Sequence, residues 1–205
     1  MDIVNTLELI IPKMRQQMFQ KRIYSLDVLY EAIEEVGKYY PIKEIDIFFG
    51  KLGIFLKSQE ITELLHHCRY SETQIDLIKL VYLFRTSIPE DIVDELNEIF
   101  NILSKGQSSI DINELIKNLN EKEHPQCELM KKNLQYIKDS VIKGIKNIIG
   151  DKNEILREEF LEFHFNIFWI MPDFQIEHFR RQLPLMWGIK KIPNLAKNIS
   201  ISFIG

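Results

Sequence analysis

Apolar residues recur at three- and four-residue intervals along most of this chain, which is the spacing of amphipathic helices, and polar turns separate the stripes. Segments that alternate apolar and polar residues, as half-buried strands do, are missing from the sequence. The pattern predicts helices over residues 12–24, 26–36, 77–85 and 128–149, and further helices around Phe48, Leu64, Leu96, Leu115, Phe160 and Phe179. The sequence therefore predicts an all-α fold.

Polar residues and prolines mark several helix boundaries. Asp76 and Asp111 each stand just before an apolar stripe, and we expect them to cap the helices that follow. Ser87 is predicted to cap another helix, because an acidic residue follows it at capping-box spacing. Pro12 is predicted to lie in the first turn of the first helix, and Pro184 is predicted to interrupt the last one.

One arrangement occurs four times at a spacing of roughly 35–45 residues: a helix, a turn, an isolated isoleucine or aromatic residue, and a second helix. Its clearest copy surrounds Ile155, which stands four residues before Glu159 and matches the back half of an EF-hand calcium loop. We expect four EF-hand-like helix-loop-helix units in two lobes. The predicted divisions are 1–86 for an N-terminal helix with hands 1 and 2, 87–189 for hands 3 and 4, and 190–205 for a tail.

The four loops lack the chemistry that binds calcium, which needs oxygen ligands chiefly at loop positions 1, 3, 5, 7 and 12 and a glycine at position 6. Positions 1 and 3 are Cys68 and Tyr70 in the second loop, Leu103 and Lys105 in the third, and Ile148 and Gly150 in the fourth. Position 12 is Glu44, Lys79, Glu114 and Glu159 in loops one to four, and the first loop is one residue short. We expect no calcium and no other cofactor to bind. Glu159 should instead act as a helix-start residue, and Ile75, Ile110 and Ile155 at position 8 should support short backbone pairing between loops.

Composition narrows the classes of function. The chain has 205 residues, of which 45% are hydrophobic and 27% charged, a balance typical of a folded globular protein. Its net charge of -4 disfavours a nucleic-acid partner. Two cysteines do not make a disulfide framework and favour a reducing compartment. Acidic residues interrupt the N-terminal apolar run, so we expect neither a signal peptide nor a membrane span, and a soluble, cytoplasmic protein.

Catalytic and zinc chemistry find little support in the sequence. No Ser-His-Asp set, glycine-rich phosphate loop or paired carboxylates occur at usable spacing, so we expect no enzymatic activity. A zinc site joining His66, His67 and Cys68 to His124 and Cys127 is an alternative. Nothing in the sequence shows that these two groups converge, which favours their being loop and surface residues.

Aromatic residues crowd one stretch near the C-terminal end. Most of them are expected to belong to a core, and the excess could line a groove for a partner helix. Lysines in the tail could meet an acidic partner surface. The residues predicted to bind a partner are Phe165, Phe168, Trp169, Phe174, Lys190 and Lys191.

Several short motifs resemble, in their order and spacing, a family of four-EF-hand proteins. They are Lys13-Met-Arg-Gln-Gln-Met-Phe, Phe49-Gly-Lys-Leu-Gly-Ile-Phe-Leu, Glu123-His-Pro-Gln, Glu158-Glu-Phe-Leu-Glu-Phe and the stretch from Phe179 to Trp187-Gly-Ile. Together they resemble the calcyphosin family from about Pro12 to Ile189. This chain departs from the family in its degenerate calcium loops.

The resemblance implies a role. Calcium-free EF-hand relatives of this kind are structural parts of ciliary and flagellar axonemes, where they contact tubulin or dynein-related complexes. We therefore expect a non-catalytic, calcium-independent protein–protein interaction module of the axoneme, bound to tubulin or another axonemal protein. The alternative is a calcium-responsive EF-hand adaptor that binds a partner helix.

Overall fold

The computed structural model describes residues 7–124, 127 and 133–190, and these are mostly helical. The helices are α1 (Leu7–Gln20), α2 (Asp27–Val36), α3 (Ile45–Lys51), α4 (Ser58–Cys68), α5 (Leu77–Phe84), α6 (Glu90–Ser104), α7 (Ile112–Asn118), α8 (Leu134–Ile149), α9 (Arg157–Phe168) and α10 (Asp173–Met186). The strands are β1 (Tyr39–Pro41), β2 (Gln74–Asp76), β3 (Ser109–Asp111) and β4 (Glu154–Leu156), with 3₁₀ turns at Ile42–Glu44 and Glu121–Glu123. The predicted all-α class thus holds at this level, with two small sheets added. The predicted helix start at Glu128 lies outside the described residues.

The strands join the loops in pairs. β1 is antiparallel to β2, with Tyr40 opposite Ile75, and β3 is antiparallel to β4, with Ile110 opposite Ile155. The three isoleucines are buried, so each supplies both a ladder residue and a core contact. The prediction that these isoleucines support short backbone pairing between loops is confirmed.

The Cα packing divides the chain into two compact units. Among the described residues, the first comprises those up to Ser87 together with Asn166–Ile176, and the second comprises those between Ile88 and Phe165 and those from Glu177 to Lys190. The sequence assigned all of 87–189 to one lobe, so the membership of Asn166–Ile176 differs from that expectation. The assignment of EF-hand pairs to the two predicted lobes stays a prediction.

Helix α1 supplies a long apolar stripe to the first unit. Its buried residues include Ile10, Ile11, Met14 and Met18. The helix begins at Leu7, so the prediction that Pro12 lies in the first turn is wrong. Pro12 has no N–H group to donate to the carbonyl of Glu8. Because Pro12 is exposed, water can reach that carbonyl. The burial of the stripe, about 1.5–3 kcal/mol per large apolar side chain, outweighs this lost bond.

A buried aromatic cluster with a histidine in its centre forms part of the core of the second unit. His164 is fully buried, and its Nε2 accepts a hydrogen bond from Trp187 Nε1 at 3.0 Å. An indole can only donate, so His164 Nδ1 carries the proton and donates to the carbonyl of Phe160 at 2.7 Å. Burial lowers the pKa of His164 to about 3, and burial also lowers the pKa of His124 to about 4. Both histidines are therefore neutral in the folded unit.

The two predicted aspartate caps are confirmed. Asp76 Oδ1 accepts from the N–H of Ile78 at 2.9 Å, at the start of α5. Asp111 Oδ1 accepts from the N–H of Asn113 at 2.9 Å, at the start of α7. Each carboxylate satisfies helical donors that have no intrahelical partner and lies at the positive end of the helix dipole.

Two other predicted boundaries are wrong, both at prolines. Helix α6 begins at Glu90 after an extended Pro89, so Ser87 does not cap it. A proline disfavours helical geometry in the residue before it, so the helix starts after Pro89 and not at the predicted cap, Ser87. Pro184 does not interrupt α10, which continues to Met186. It lies in the last turn, where one missing N–H costs only one bond before the helix ends.

No helix within the described ranges is long and apolar enough to cross a membrane.

Candidate functional site: the paired loops

In the fourth loop, residues 148–159, a lysine occupies the place of a calcium ligand. Lys152, at position 5, donates to Oε1 of Glu159 at 2.6 Å, and Oε2 of Glu159 accepts from the N–H of Leu156 at 2.9 Å. Partial burial of Glu159 works to raise its pKa, but the Leu156 N–H and the Lys152 ammonium outweigh burial and lower it. Both carboxylate oxygens are thus engaged inside the protein. The predicted role of Glu159 at a helix start is confirmed.

The second loop, residues 68–79, carries its own cation at position 12. Lys79 Nζ donates to the carbonyl of Arg69 at 3.4 Å, so it contacts a backbone oxygen of the loop. Cys68, at position 1, is fully buried. Burial raises the pKa of its thiol to about 12, against the opposing effect of Lys79. Because the thiolate is the form that binds metals, burial disfavours Cys68 as a ligand.

Aromatic stacking links the first and second loops. Tyr39 of β1 stacks on Tyr70, with ring centroids 4.0 Å apart and planes at 27°. Tyr70 holds position 3 of the second loop, where calcium needs an oxygen ligand. In the first loop Glu44, at position 12, lies 3.9 Å from exposed Lys43. These residues support loop packing and offer no cage of oxygens.

In the third loop, residues 103–114, the final carboxylate pairs with a neighbour on its own helix. Glu114 accepts from Lys117, one turn further along α7. The chain turns at Lys105 and Gly106, which have φ of 54° and 80°. Lys105 therefore stands at position 3 in a left-handed conformation, with no acidic group there.

Loops two to four lack the positive-φ turn that a calcium loop has at position 6. The residues at position 6 of loops two to four are Thr73, Ser108 and Asn153, and none of them has a positive φ. The loop glycines with positive φ are Gly37, Gly106 and Gly150. In loops three and four the turn comes two or three positions before the one that a calcium loop requires, so the backbone is not shaped to surround an ion.

The residues that could form the alternative zinc site lie in surroundings that differ from one another. His67 lies 3.6 Å from Glu63 on the surface of α4, and Cys68 is buried. His124 is buried and Cys127 is partly exposed. In the described part of the chain, no three His, Cys, Asp or Glu side chains are grouped so that they could hold a metal ion.

The six predicted partner-binding residues fall into four groups. Phe168 and Trp169 are buried and Phe165 is half-buried, whereas Phe174 is 65% exposed, Lys190 is exposed, and Lys191 lies outside the described residues. Phe168 and Trp169 therefore belong to the packing of the first unit, which was the alternative interpretation of the aromatic run.

Sequence reasoning missed the residues that surround Trp169. Trp169 Nε1 donates to the carbonyl of Thr86 at 2.8 Å, and the guanidinium of Arg85 lies 4.8 Å from its ring centroid. More than eighty positions separate these partners in the sequence, so no local pattern indicates the contact.

Comparisons of this chain with models of known protein families and with curated proteins found no match. The resemblance to the calcyphosin family therefore stays a prediction that rests on the motifs quoted above.

Proposed function

We propose that this chain is a non-catalytic, calcium-independent protein–protein interaction module built from four EF-hand-like helix-loop-helix units in two lobes. One observation carries the proposal: the carboxylate of Glu159, at the position of the bidentate calcium ligand, is held by Lys152 and by the N–H of Leu156. A loop whose terminal carboxylate is neutralised by its own lysine keeps its shape without a metal.

The charge balance of the other loops supports the same proposal. A calcium loop gathers several carboxylates that repel one another until the ion binds. Here Lys79 replaces the terminal carboxylate of the second loop, and Glu114 of the third is paired with Lys117. The pairing of β1 with β2 and of β3 with β4 gives the loops a metal-independent support.

We propose further that the module is a cytoplasmic, structural component of ciliary or flagellar axonemes, with tubulin or another axonemal protein as its partner. This step rests on the resemblance to the calcyphosin family. Exposed aromatic side chains at Phe55, Tyr70 and Phe174 offer the kind of contact area that protein interfaces use. Neither nucleic acid nor membrane is proposed as a partner.

Sedimentation with detergent-extracted axonemes or with microtubules tests the proposal. We expect saturable co-pelleting of the full chain, equal in EGTA and in about 1 mM calcium, a concentration at which weak EF-hand sites fill. The variant Lys190→Glu/Lys191→Glu should pellet less. A matched control, Lys51→Glu/Lys57→Glu, changes two exposed lysines of the first unit and should pellet normally.

Two results would contradict this account. If the chain stays in the supernatant with both preparations, the axonemal proposal fails. If it pellets only in calcium, the alternative of a calcium-responsive adaptor is correct.

A further inference from the structure

One segment of the chain is held by residues far from it in sequence, as a bound peptide would be. Asn166–Ile176 spans the end of α9, the turn after it and the start of α10, and it packs into the first unit. Its first backbone carbonyl, that of Asn166, accepts the N–H of Leu26 at 3.0 Å. The apolar residues in the middle of the segment are buried: Ile167, Phe168, Trp169, Ile170 and Met171.

Trp169 is recognised through both its edge and its face. Its indole N–H donates to the carbonyl of Thr86 at 2.8 Å, and the guanidinium of Arg85 lies over its ring. The hydroxyl of Thr86 in turn accepts from Arg15 at 3.3 Å. The end of α5 and the middle of α1 therefore form one continuous site around this indole.

A second anchor lies four residues after the tryptophan. Asp173 Oδ1 is 3.9 Å from Arg15 Nη1, and the ring of Phe174 meets Phe19 edge-on with centroids 5.9 Å apart. The Asp173 side chain is 79% exposed, so its ion pair is expected to orient the segment and to contribute little to the stability of its binding.

The fit of the segment is incomplete. Asn166 Oδ1 and Arg15 Nε are buried without a hydrogen-bond partner. A buried polar atom left unpaired is destabilising, and permanent cores rarely contain such atoms. Of the two atoms, Arg15 Nε belongs to the site and Asn166 Oδ1 to the resident segment, so a competing segment that accepted a hydrogen bond from Arg15 Nε would bind this site more favourably.

We propose that the surface formed by Arg15, Leu26 and Thr86 is a peptide-binding site, that Asn166–Ile176 is its resident occupant, and that its external partner is a segment of the same chemistry. That chemistry is a buried aromatic–tryptophan pair followed, four residues after the tryptophan, by a carboxylate. The inference rests on the proposed function only in treating the chain as an interaction module. Because the resident segment is tethered at both ends, it competes at an effective concentration of the order of millimolar.

Peptide binding to the full chain tests the proposal. The probe is a fluorescein-labelled peptide of residues 166–176, and the variant is Trp169→Phe/Asp173→Asn, which weakens the resident anchors while keeping apolar bulk. We expect the variant to bind the probe at least tenfold more tightly than the unmodified chain, and a probe carrying the same two changes to bind at least tenfold more weakly. The control Tyr136→Phe/Asp139→Asn makes matching changes on α8 and should behave as the unmodified chain.

Hydrogen exchange in the unmodified chain gives a second readout that no folding defect of a variant can obscure. The protection factor of the Trp169 indole proton should be at least tenfold smaller than those of the Leu80 and Val81 amides in α5 of the same unit, because the segment leaves its site without unfolding α5. Equal protection factors would overturn the proposal, as would equal probe affinity for the Trp169→Phe/Asp173→Asn variant and the unmodified chain. Neither readout depends on calcium or on axonemes, so the proposed function can fail while this inference stands.

Discussion

At the scale of single residues, lysine side chains supply a positive charge within the second and fourth loops. Lys152 reaches Glu159 and Lys79 reaches the carbonyl of Arg69, so each of these loops holds a covalently attached cation. Such a cation has one charge and a flexible stem, and it cannot collect six or more oxygens as calcium does. We therefore expect these two loops to keep one conformation with and without calcium.

Restoring the terminal carboxylate of the second loop should not restore a site. In Lys79→Glu we expect no calcium binding below about 1 mM, because Cys68 remains buried at position 1 and Tyr70 remains stacked on Tyr39. The free energy of unfolding should change by no more than about 1 kcal/mol, since the Lys79 contact is exposed. Calorimetry and urea unfolding measure both, with Lys57→Glu as the control. Tight binding by Lys79→Glu would show that the loop register is wrong.

A second residue-scale prediction concerns Arg22, which ends α1 with φ of 66°. The N–H of Ile23 bonds to the carbonyl of Met18 and that of Arg22 to Phe19, a Schellman arrangement in which glycine is preferred. Arg22→Gly should raise the free energy of unfolding by about 0.5–1 kcal/mol, the relief of left-handed strain less the added entropy of the unfolded chain. Gln16→Gly, in the exposed middle of the helix, should lower it by about 1 kcal/mol. Urea midpoints that move in the same direction for both variants would contradict this.

At the scale of elements, the aspartate caps start the helices that leave the loops. Asp111→Ala removes the acceptor for the N–H groups of Asn113 and Glu114, and should lower the free energy of unfolding by about 1 kcal/mol. The exposed turn residue Asp151 provides a control, because Asp151→Ala removes no recorded cap. Equal urea midpoints for the two variants would mean that capping contributes nothing measurable to α7.

Local chemistry explains how much of these elements could be predicted from the sequence. Asp76, Asp111 and the position-8 isoleucines were predictable because a cap or a turn depends on residues a few positions apart. The length of α1 could not be predicted, because burial of its apolar residues outweighs the tendency of Pro12 to start or break a helix. The placement of Asn166–Ile176 was not, because its partners, Leu26 and Thr86, are distant in sequence. In the loops, the sequence indicated which calcium ligands are missing, but it did not indicate that Lys152 would form an ion pair with Glu159.

At the scale of the whole molecule, the two units should respond differently to acid. His124 and His164 are buried in the second unit with folded pKa values of about 4 and about 3. The pKa of histidine in the unfolded chain is about 6.5. The stabilising contribution of the two neutral histidines is therefore fully present above that pH. It falls at lower pH, because the unfolded chain binds protons that the folded unit does not bind. The loss at pH 5 should be about 4 kcal/mol, from two protons over about 1.5 pH units.

This acid sensitivity can be measured through the indole proton of Trp187, which reports the second unit by its bond to His164. Unfolding at pH 7.5 and pH 5 should show the loss, and His66→Gln, at an exposed position, should leave it unchanged. A second unit equally stable at the two pH values would contradict the buried, neutral state of the histidines.

We propose that the fold of this chain, including its four loops, is complete without calcium. Titration of calcium into the full chain by calorimetry, paired with thermal unfolding in EGTA and in calcium, tests it most directly. We expect no saturable heat below about 1 mM calcium and the same unfolding temperature in both buffers. Submillimolar binding accompanied by a rise in unfolding temperature would contradict it.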